Sequence, residues 1–299
     1  MMAYRERQKN MKNLRKVFWQ RVILIFVTLL LLLSIALTTV ITTHRPGVLW
    51  RMVASLYMKP PSASAIAGGF TLLPPGAQLP SEQECSARVH RSSWEPRPDN
   101  IKANQSIPTQ EQLALLTPWD QKIGVDPKAN DLLQQINGNF TGTTNEILQW
   151  GACKWGLDED IVRAEAFIES SWHQNYEGDY TNVPSYCPPG TWDGKGCYQS
   201  YGLLQLKYYY FQSAWPMSRD DTAFNVEYVL GVIRTCFEGW TTYLNDRIPL
   251  PGYPRYHAGD IWGCLGRWYS GGWYDQGAVY YIQQVKTALA NKNWLEAGF

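Results

Sequence analysis

The hydrophobic pattern along residues 158–172 predicts an amphipathic helix. At about 100° per residue, its apolar side chains share one face, and they are Ile161, Ala164, Ile168 and Trp172. Asp158 can accept hydrogen bonds from the free amides of the first turn, while Glu159 and Asp160 suit the positive end of the helix dipole. Asp158 is therefore the predicted N-cap.

Two glutamates, Glu165 and Glu169, fall toward the packed side of this helix. Like charges at i and i+4 are unfavourable and an unpaired buried carboxylate is more so, so stability alone does not explain the pair. Burial raises the pKa of a carboxyl and keeps it protonated near neutrality, as a general acid requires. Glu169 lies near the edge of the face and is the candidate acid, whereas Glu165 is the expected buried, hydrogen-bonded support. The alternative is that both are half exposed on a helix of different register.

Four further segments have a helical hydrophobic period, and they are residues 131–135, 145–155, 223–244 and 276–290. Residues 176–200 combine Gly, Pro, Asp and aromatic residues without a helical period, which is typical of loops with at most a short hairpin. The predicted fold class is therefore mainly α. We expect one compact helical domain over residues 127–299, with a loop-rich lobe that carries short β structure.

The N-terminal pattern predicts a membrane anchor. Residues 22–41 contain no charged residue, a length sufficient to span a bilayer core of about 30 Å. Residues 1–21 hold seven basic residues and one acidic residue, which favours a cytoplasmic N-terminus. We therefore expect a single-pass protein of the cell membrane, with a transmembrane anchor at 22–43 and the rest of the chain outside the cytoplasm. A cleaved signal peptide is the alternative, but it needs a shorter apolar run and a small-residue cleavage site.

Two segments connect the predicted anchor to the helical domain. Residues 44–80 contain two Pro-Pro pairs and Gly68-Gly69 without a sustained period, which predicts a linker that holds the domain away from the membrane. Residues 81–126 contain many Arg and Pro residues and predict an irregular strap that packs on the domain. Cys85 is available to tether this strap to the globular part.

Charge and cysteine content restrict the function classes. The chain has a formal net charge of +1, and beyond residue 21 it carries 20 basic and 25 acidic side chains. A mildly acidic ectodomain is a poor nucleic-acid binder.

All six cysteines follow the predicted anchor, and an even number outside the cytoplasm indicates disulfides. Cys187 and Cys197 would close a short loop rich in Pro and Gly, whereas the other pairings stay open.

Neither a metal site nor a cofactor site is expected. No CxxC spacing occurs and the four histidines are scattered along the chain, which argues against a structural zinc site. No nucleotide-binding motif appears either.

Tryptophan and tyrosine are dense in the second half of the chain. Aromatic faces can stack on the apolar faces of sugar rings, but large rings also fill cores. Trp192 and Trp273 lie in predicted loops, so they are better candidates for a cleft than the tryptophans in helices.

Four short motifs follow one another in the second half of the chain. Glu169-Ser170 ends the predicted helix in the stretch AFIESSW. The other three are residues 201–206 (YGLLQL), residues 225–231 (NVEYVLG) and residues 268–272 (WYSGG). In this order and spacing they resemble the Glu-Ser pair, the Gly-Leu-Met-Gln segment, the Asn...Gly helix and the Tyr-Asn-x-Gly stretch of the soluble lytic transglycosylase and goose-type lysozyme superfamily. The resemblance covers about residues 145–290.

This resemblance implies a lysozyme-like fold and cleavage of the β-1,4 bond between N-acetylmuramic acid and N-acetylglucosamine in peptidoglycan glycan strands. Glu169 would protonate the glycosidic oxygen and then act as a base for attack by the muramoyl 6-hydroxyl, giving a 1,6-anhydro sugar without an enzyme nucleophile. The matched substrate-binding positions are Ser170, Gly202, Leu204, Gln205, Tyr269, Ser270 and Gly271. Within that match, the Gly202 turn would let the backbone approach the sugar, and Tyr269 would hold Glu169 by a hydrogen bond.

The chain departs from the family pattern at two places. Ser270 stands where the family usually has Asn, which removes an amide that could bind the substrate acetamido group or orient the acid. The insert at residues 176–200 is longer than the minimal family loop and holds Glu177, Asp179 and Asp193. Any of these acids could activate a water on the far face of the sugar, as in an inverting hydrolase. Solvated loop carboxylates are the alternative interpretation.

Three functions follow, in order of preference. The first is a membrane-anchored lytic transglycosylase that acts on cell-wall peptidoglycan outside the cytoplasm. The second is a goose-type muramidase that adds water, with Asp179 or Asp193 as the base. The third is a catalytically weak peptidoglycan-binding scaffold that fastens a wall-spanning protein complex, and the presence of Glu169 disfavours it.

Overall fold

The computed structural model describes residues 69–296 and 298–299. The predicted cytoplasmic segment at 1–21, the predicted anchor at 22–43 and most of the predicted linker lie outside the described residues. Among the helices that the structure describes, none combines the length and the apolar character needed to cross a bilayer.

The described chain is mainly helical, which confirms the predicted α class. Its α-helices are α1 (Glu82–Arg88), α2 (Ile101–Asn104), α3 (Gln110–Leu113), α4 (Ala129–Leu133), α5 (Thr144–Lys154), α6 (Glu159–Ser170), α7 (Met217–Asp220), α8 (Thr222–Phe237), α9 (Ile261–Ser270) and α10 (Gln276–Asn291). Short antiparallel strands form one small sheet, and they are β1 (Glu177–Gly178), β2 (Ser200–Tyr201) and β3 (Leu206–Lys207). Short 3-10 turns connect several of these elements.

The predicted helices are present, with ends that differ by a few residues. The largest difference is in α8, which ends at Phe237 and not at the expected residue 244. The reason is Gly239, which takes a left-handed φ of 85° and ends the helix as a glycine commonly does. A separate 3-10 turn, Thr242–Asp246, overlaps the end of the predicted span.

Helix α9 has no counterpart among the predicted helices, because two glycines interrupt its apolar pattern. Gly263 lies directly against the ring of Trp273, and Gly266 lies against Ala278 of α10. A Cβ at either glycine would collide with these neighbours. The glycines lower the helix propensity, but they let α9 pack closely on the chain that follows it.

The core is organised around α8. All 16 residues of this helix are buried, and α5 is buried along its whole length as well. Helix α8 contacts α5 and α9, while α6 contacts α5 and α10. Large aromatic side chains fill the interior, and the fully buried tryptophans are Trp119, Trp150, Trp155, Trp172, Trp273 and Trp294.

The strap at residues 81–126 packs on the domain, but it is partly helical and contributes side chains to the core. Residues 81–126 hold helices α1 to α3, and Trp119 within this span has no exposed surface. Its indole Nε1 donates to the hydroxyl of Tyr228 on α8 at 2.8 Å. As expected, a disulfide tethers the strap, and it joins Cys85 of α1 to Cys153 of α5.

The end of the predicted linker also packs on the domain and does not act as a spacer. The side chain of Phe70 is buried, and the backbone N–H of Leu73 donates to the carbonyl of Gly156 at 2.9 Å. The guanidinium of Arg234 on α8 donates to the carbonyls of Leu73 and Pro74 at 3.0 and 2.9 Å. These backbone contacts leave no trace in the hydrophobic pattern, which explains the wrong prediction for residues 69–80.

The six cysteines form three disulfides, as their even number predicted. Cys187 pairs with Cys197, which confirms the one pairing that loop length had favoured. Cys236 of α8 pairs with Cys264 of α9. Two of the bridges therefore fasten neighbours to the central helices, and the third closes the lobe.

The loop-rich lobe is built on the small sheet. Glu177 pairs with Tyr201 and Gly178 with Ser200 in antiparallel register, and β2 then pairs with β3. An isolated bridge joins Thr181 to Cys197 beyond β1. The predicted short hairpin is thus present, and its long loop is held at its base by the bridge and the disulfide.

A buried ion pair joins two of the central helices. The ammonium of Lys154 at the end of α5 contacts the fully buried carboxylate of Glu227 on α8. Glu227 also accepts hydrogen bonds from the backbone N–H groups of Asn137 and Gly138, and Lys154 donates to the carbonyl of Gln135 at 2.9 Å. Both charges are therefore partnered, as burial requires.

We predict that Lys154→Met lowers the free energy of unfolding by about 3 to 5 kcal/mol, because it leaves the buried Glu227 carboxylate without its counter-charge. Urea denaturation measures the change. Lys292→Met is a matched control, since Lys292 pairs with Asp160 near the surface and should cost less than about 1 kcal/mol. The double variant Lys154→Met/Glu227→Gln should recover part of the loss. Equal effects of the two single variants would contradict the prediction.

Candidate active site

Helix α6 has well-defined ends, and they fix the position of Glu169. The Asp158 side chain accepts from the backbone N–H groups of Asp160 and Ile161 at 3.0 Å each, which confirms the predicted N-cap. At the other end, Ser171 and Trp172 take positive φ values of 51° and 64°. The helix therefore stops directly after the Glu169-Ser170 pair.

Glu169 is partly exposed and is held by a tyrosine from α10. The hydroxyl of Tyr281 donates a hydrogen bond to Oε1 of Glu169 at 2.5 Å. Burial is the main cause that raises the pKa of Glu169 to about 7. The hydrogen bond from Tyr281 lowers this pKa, and the negative charge of Asp179 raises it further. A carboxyl with such a pKa can both donate and accept a proton near neutral pH.

Glu165 lies one turn earlier on α6 and has no exposed surface. The predicted order of burial on this helix face, with Glu165 more enclosed than Glu169, is therefore present. The expected hydrogen bonds are not, because neither carboxyl oxygen of Glu165 has a hydrogen-bond partner among the described residues. Burial, with the nearby charge of Glu169, raises the pKa of Glu165 well above its usual range. Its surroundings therefore disfavour the charged form of Glu165.

The tyrosine that holds Glu169 is Tyr281, and not Tyr269 as the resemblance implied. The ring of Tyr269 instead stacks on that of Tyr281, with centroids 4.8 Å apart and ring planes 7° apart. Tyr269 is 55% exposed, so one face of its ring is open to a ligand while the other supports Tyr281. Tyr269 therefore lies beside the site, while Tyr281 makes the hydrogen bond that was expected from Tyr269.

Sequence reasoning missed Tyr281, although α10 contains a usable signal. The buried face of this helix consists of Ala278, Tyr281, Ile282, Val285 and Ala288. A tyrosine within such an apolar stripe usually needs a partner for its hydroxyl group. The burial and the charges of Glu169 and Glu165 raise the pKa of Tyr281 well above its usual range, so this hydroxyl stays a donor.

Asp179 follows β1 and faces Glu169 closely enough to influence its pKa. Its Oδ2 accepts from Ser200 Oγ at 2.6 Å and contacts Lys207 Nζ at 3.0 Å. Partial burial opposes ionisation, but these two partners lower the pKa of Asp179 below its usual value. Asp179 is therefore a fixed negative charge beside the candidate acid.

Asp193 and Glu177 do not join this group. The Asp193 side chain accepts from the backbone N–H groups of Lys195 and Gly196 at 2.8 Å each, and these hydrogen bonds lower its pKa. It thus stabilises its own turn in the lobe. Glu177 is exposed on β1. Among the three acids of the insert, Asp179 is the one whose charge acts on Glu169.

Two of the matched positions serve the packing of the site. The hydroxyl of Ser170 is buried and donates to the carbonyl of Leu203 at 2.8 Å, so it holds the 201–206 segment against the end of α6. The side chain of Leu204 is fully buried, and its backbone N–H donates to Oδ1 of Asn225 at 2.9 Å. Neither side chain is available to a ligand.

Close contacts within the protein require a glycine at position 202. Gly202 takes a φ of 85°, and a Cβ there would collide with the Asn225 amide and the carbonyl of Ser218. The Asn225 Nδ2 in turn donates to the carbonyls of Tyr201 and Ser218. The resemblance implied that the Gly202 backbone lies close to a sugar. In the structure, this backbone lies close to the side chain of Asn225.

Gln205 lies at the edge between this segment and the lobe. It takes a positive φ of 53°, and its amide Nε2 donates to the carbonyls of Gly202 and Tyr176 at 2.8 and 3.2 Å. Its side-chain oxygen lies against Gly178, where no Cβ would fit. The partly exposed Gln205 therefore connects the motif to β1 and to the neighbouring Asp179.

Ser270 and Gly271 form the end of α9, directly after Tyr269. The Ser270 hydroxyl donates to the carbonyl of Gly266 at 3.2 Å and accepts from the backbone N–H of Gly272 at 3.0 Å. Gly271 is the C-cap, with a φ of 73°, and its carbonyl accepts from the hydroxyl of Tyr243 at 3.0 Å. Both residues thus fix the turn after Tyr269.

The two loop tryptophans proposed for a cleft have different environments. Trp192 is 41% exposed on the lobe, whereas Trp273 is only 1% exposed. The Nε1 of Trp273 donates to the carbonyl of Pro254 at 2.9 Å. Trp273 is therefore a core residue, which corrects the prediction, and Trp192 stays available.

The assembled site is a proton-exchanging carboxyl, Glu169, which accepts a hydrogen bond from Tyr281 and is influenced by the charge of the paired carboxylate Asp179. Within the described part of the chain, no cluster of His, Cys, Asp and Glu side chains could hold a metal ion. Comparison of the chain with family models, curated proteins and solved structures finds no match in any of the three. The chemistry therefore has to be inferred from these residues.

The raised pKa of Glu165 predicts a pH dependence of stability. A carboxyl whose pKa is raised on folding stabilises the folded state below its unfolded pKa and loses that contribution as the pH rises. Above its unfolded pKa, Glu165 should therefore lower the free energy of unfolding as the pH rises, by up to about 1.4 kcal/mol per pH unit. Glu165→Gln should remove this part of the slope, whereas the part due to Glu169, whose pKa is also raised, should remain. Urea denaturation at pH 5, 6 and 7 measures the slope, and an unchanged slope in the variant would contradict a raised pKa of Glu165.

Proposed function

We propose that this chain is a lytic transglycosylase with a lysozyme-like fold, which cleaves the β-1,4 bond between N-acetylmuramic acid and N-acetylglucosamine in peptidoglycan. The observation that carries the proposal is the environment of Glu169. Its carboxyl is partly exposed at a helix end, its pKa is about 7, and Tyr281 donates to it at 2.5 Å. These are the properties that a residue needs to act first as an acid and then as a base.

In the proposed reaction, protonated Glu169 gives its proton to the glycosidic oxygen as the bond from that oxygen to the muramoyl anomeric carbon breaks. The hydrogen bond from Tyr281 stabilises the carboxylate that results. Glu169 then takes the proton of the muramoyl 6-hydroxyl while that oxygen bonds to the anomeric carbon. The product is a 1,6-anhydro sugar, and Glu169 ends protonated, so no water is consumed.

The state of Asp179 favours this route over hydrolysis. An inverting hydrolase needs a second carboxylate that accepts a proton from water. Ser200 and Lys207 already occupy Oδ2 of Asp179, and its lowered pKa makes it a weak base. Its negative charge can still stabilise positive charge that develops on the sugar in the transition state.

A muramidase stays the second candidate, because Asp179 is the one insert acid whose charge acts on Glu169. In that case Asp179 would activate water, and Asp179→Asn would abolish cleavage. In the transglycosylase, the same variant should keep the anhydro product and lose only part of the rate. The two candidates therefore differ in product and in the response to one substitution.

The disulfides support a location outside the cytoplasm, where such bonds persist. Together with the apolar run at residues 22–41, they favour a chain attached to the cell membrane by the segment 22–43. Peptidoglycan lies on that side of the membrane, so the proposed substrate and the proposed location agree.

We predict that the full-length protein, purified in mild detergent, releases anhydromuropeptides from purified peptidoglycan. Glu169→Gln should lower the rate by about 10²- to 10⁴-fold, the usual contribution of a general acid, while glycan binding is retained. Mass spectrometry of the soluble products measures both the rate and the product type. Glu111→Gln, at an exposed glutamate of α3, is the control and should cleave as the wild type does.

Each outcome separates the candidates. Products heavier by one water would indicate the muramidase. Binding of peptidoglycan without any soluble product would indicate the scaffold. Cleavage by Glu169→Gln at a rate near that of the wild type would show that the acid has been assigned to the wrong residue.

The pKa of Glu169 predicts the pH dependence of cleavage. The acid must be protonated, so kcat/KM should fall as the pH rises through about 7. Because the Tyr281 hydrogen bond lowers this pKa, Tyr281→Phe should move the alkaline limb of the pH–rate profile upward by about 1 to 2 pH units. Tyr280→Phe, at a 61% exposed neighbour on α10, is the control. An alkaline limb at the same pH in all three proteins would contradict the coupling.

A further inference from the structure

The loop formed by residues 247–255 exposes neighbouring apolar side chains. Ile248 is 78% exposed, the highest value among the large hydrophobic residues that the structure describes, and Leu250 is 39% exposed. Pro249 and Pro251 alternate with these two residues. Adjacent exposed apolar side chains are typical of a surface that contacts a partner or a membrane. We call residues 247–255 the arginine loop, because an arginine lies at each end.

The arginine loop is fastened in a defined shape. The Nη1 of Arg255 donates to the carbonyl of Arg247 at 3.1 Å, which joins the two ends of the loop. The backbone N–H of Leu250 donates to the carbonyl of Tyr274 at 3.0 Å, and the ring of Tyr253 stacks on that of Tyr274 with centroids 4.6 Å apart. A surface that is ordered before binding loses little conformational entropy when a partner arrives.

A third arginine, Arg267 of α9, lies beside the loop. Its Nε donates to the hydroxyl of Tyr243 at 3.0 Å. The guanidinium carbons of Arg267 and Arg247 lie 5.7 and 5.8 Å from the centroid of the Tyr243 ring. Two guanidinium groups therefore surround one ring, and Arg255 adds a third positive charge through its hydrogen bond to Arg247.

The guanidinium of Arg267 has a free donor edge. Arg267 is only 7% exposed, yet among the described residues it makes one hydrogen bond, through its Nε. Its Nη1 and Nη2 do not belong to the unpartnered atoms that solvent fails to reach, so this edge faces outward. The two Nη atoms of a guanidinium can donate parallel hydrogen bonds to two oxygens of one phosphate group.

The positive charge of this surface is not neutralised by the protein. Within the described part of the chain, none of the three arginines forms an ion pair with an acidic side chain. The nearby Asp260 accepts from the backbone N–H of Gly263 as the cap of α9, and Asp246 is exposed. Beyond residue 21 the chain is acidic overall, so the basic surface is local and complements an anionic partner.

We propose that the arginine loop and Arg267 dock on an anionic phospholipid surface. The phosphates of the headgroups accept hydrogen bonds from Arg247 and Arg267, while Ile248 and Leu250 enter the apolar layer beneath them. A soluble phosphate or a wall polymer would match the arginines alone, whereas a membrane matches both the charge and the aliphatic side chains. The proposal rests on the proposed location at the cell membrane, and not on the proposed activity.

Docking of this surface would orient the candidate active site. The hydroxyl of Tyr243 also donates to the carbonyl of Gly271 at 3.0 Å, in the turn directly after Tyr269. The Tyr269 ring stacks on that of Tyr281, which holds Glu169. A chain of contacts therefore connects the docking surface to the candidate acid, so docking would fix the direction in which the site faces relative to the membrane.

The test places one fluorophore on the loop of the full-length protein. No cysteine is free, so Ile248→Cys introduces a single thiol that can be labelled with the environment-sensitive dye NBD. The protein is reconstituted into vesicles of phosphatidylcholine with or without phosphatidylglycerol, in which some acyl chains carry a quencher. We expect quenching at position 248 in the anionic vesicles only. Leu115→Cys is the matched labelling control, because Leu115 is 72% exposed and lies outside the loop.

Charge variants of the labelled protein test the role of the arginines. Arg247→Gln and Arg267→Gln should each weaken docking by about 5-fold, the usual contribution of one basic residue near an anionic surface. Arg247→Lys keeps the charge and should retain most of the docking. Lys102→Gln, at an exposed lysine of α2, is the control for loss of one charge. Because Arg247 is exposed, its variant should unfold at the same urea concentration as the parent, so its effect is informative even where Arg267→Gln is destabilised.

Equal quenching at positions 248 and 115, or in anionic and zwitterionic vesicles, would overturn the proposal. A change in NBD emission caused by inorganic phosphate or by purified peptidoglycan in zwitterionic vesicles would also overturn it, because a soluble anion or the wall would then be the partner. Docking by a protein that releases no muropeptide would support this surface while the proposed function fails. Release of muropeptides by a protein whose loop is not quenched would give the opposite result.

Discussion

A helix with no exposed side has to find partners for its charged and amide side chains inside the protein, and α8 is such a helix. Asn225 bonds to the 201–204 segment, Glu227 holds the turn at Asn137 and Gly138, and Arg234 binds the carbonyls of Leu73 and Pro74. Unpartnered, each of these groups would cost several kcal/mol of buried desolvation, on the order of 2 to 7 for a polar group. The hydrogen bonds of these buried side chains therefore fix the positions of the segments around α8.

The candidate site inherits its geometry from this arrangement. Asn225 fixes the Gly202 turn, that turn presents the Leu203 carbonyl to Ser170, and Ser170 holds the end of α6 where Glu169 lies. The residues that resemble a family motif thus mostly bind one another. Among the matched side chains, that of Tyr269 is exposed, and those of Glu169, Gln205 and Ser270 are partly exposed.

Local chemistry explains which features of the site could be predicted. The cap at Asp158 and the differing burial of Glu165 and Glu169 follow from helical period, since each depends on residues within a few positions. The Tyr281 hydrogen bond joins residues 112 positions apart. The apolar stripe of α10 indicates that the Tyr281 hydroxyl needs a partner, but it does not identify that partner as Glu169. Helix α9 was missed for a related reason, because its glycines are favourable only through their contacts with Trp273 and Ala278.

The hydrogen bonds from Arg234 to residues 73 and 74 also fix the position of the stretch that precedes the strap. Arg234 lies nine positions after Asn225 on α8, which is about 13 Å along the helix axis. The entering chain is therefore fastened near the C-terminal half of α8, while the Gly202 turn and the end of α6 are organised by its N-terminal end. The same stretch also reaches the helix that carries Glu169, because the backbone N–H of Glu159 at the start of α6 donates to the carbonyl of Phe70 at 3.2 Å. Residues 70–74 therefore tie the first turn of α6 to the C-terminal half of α8.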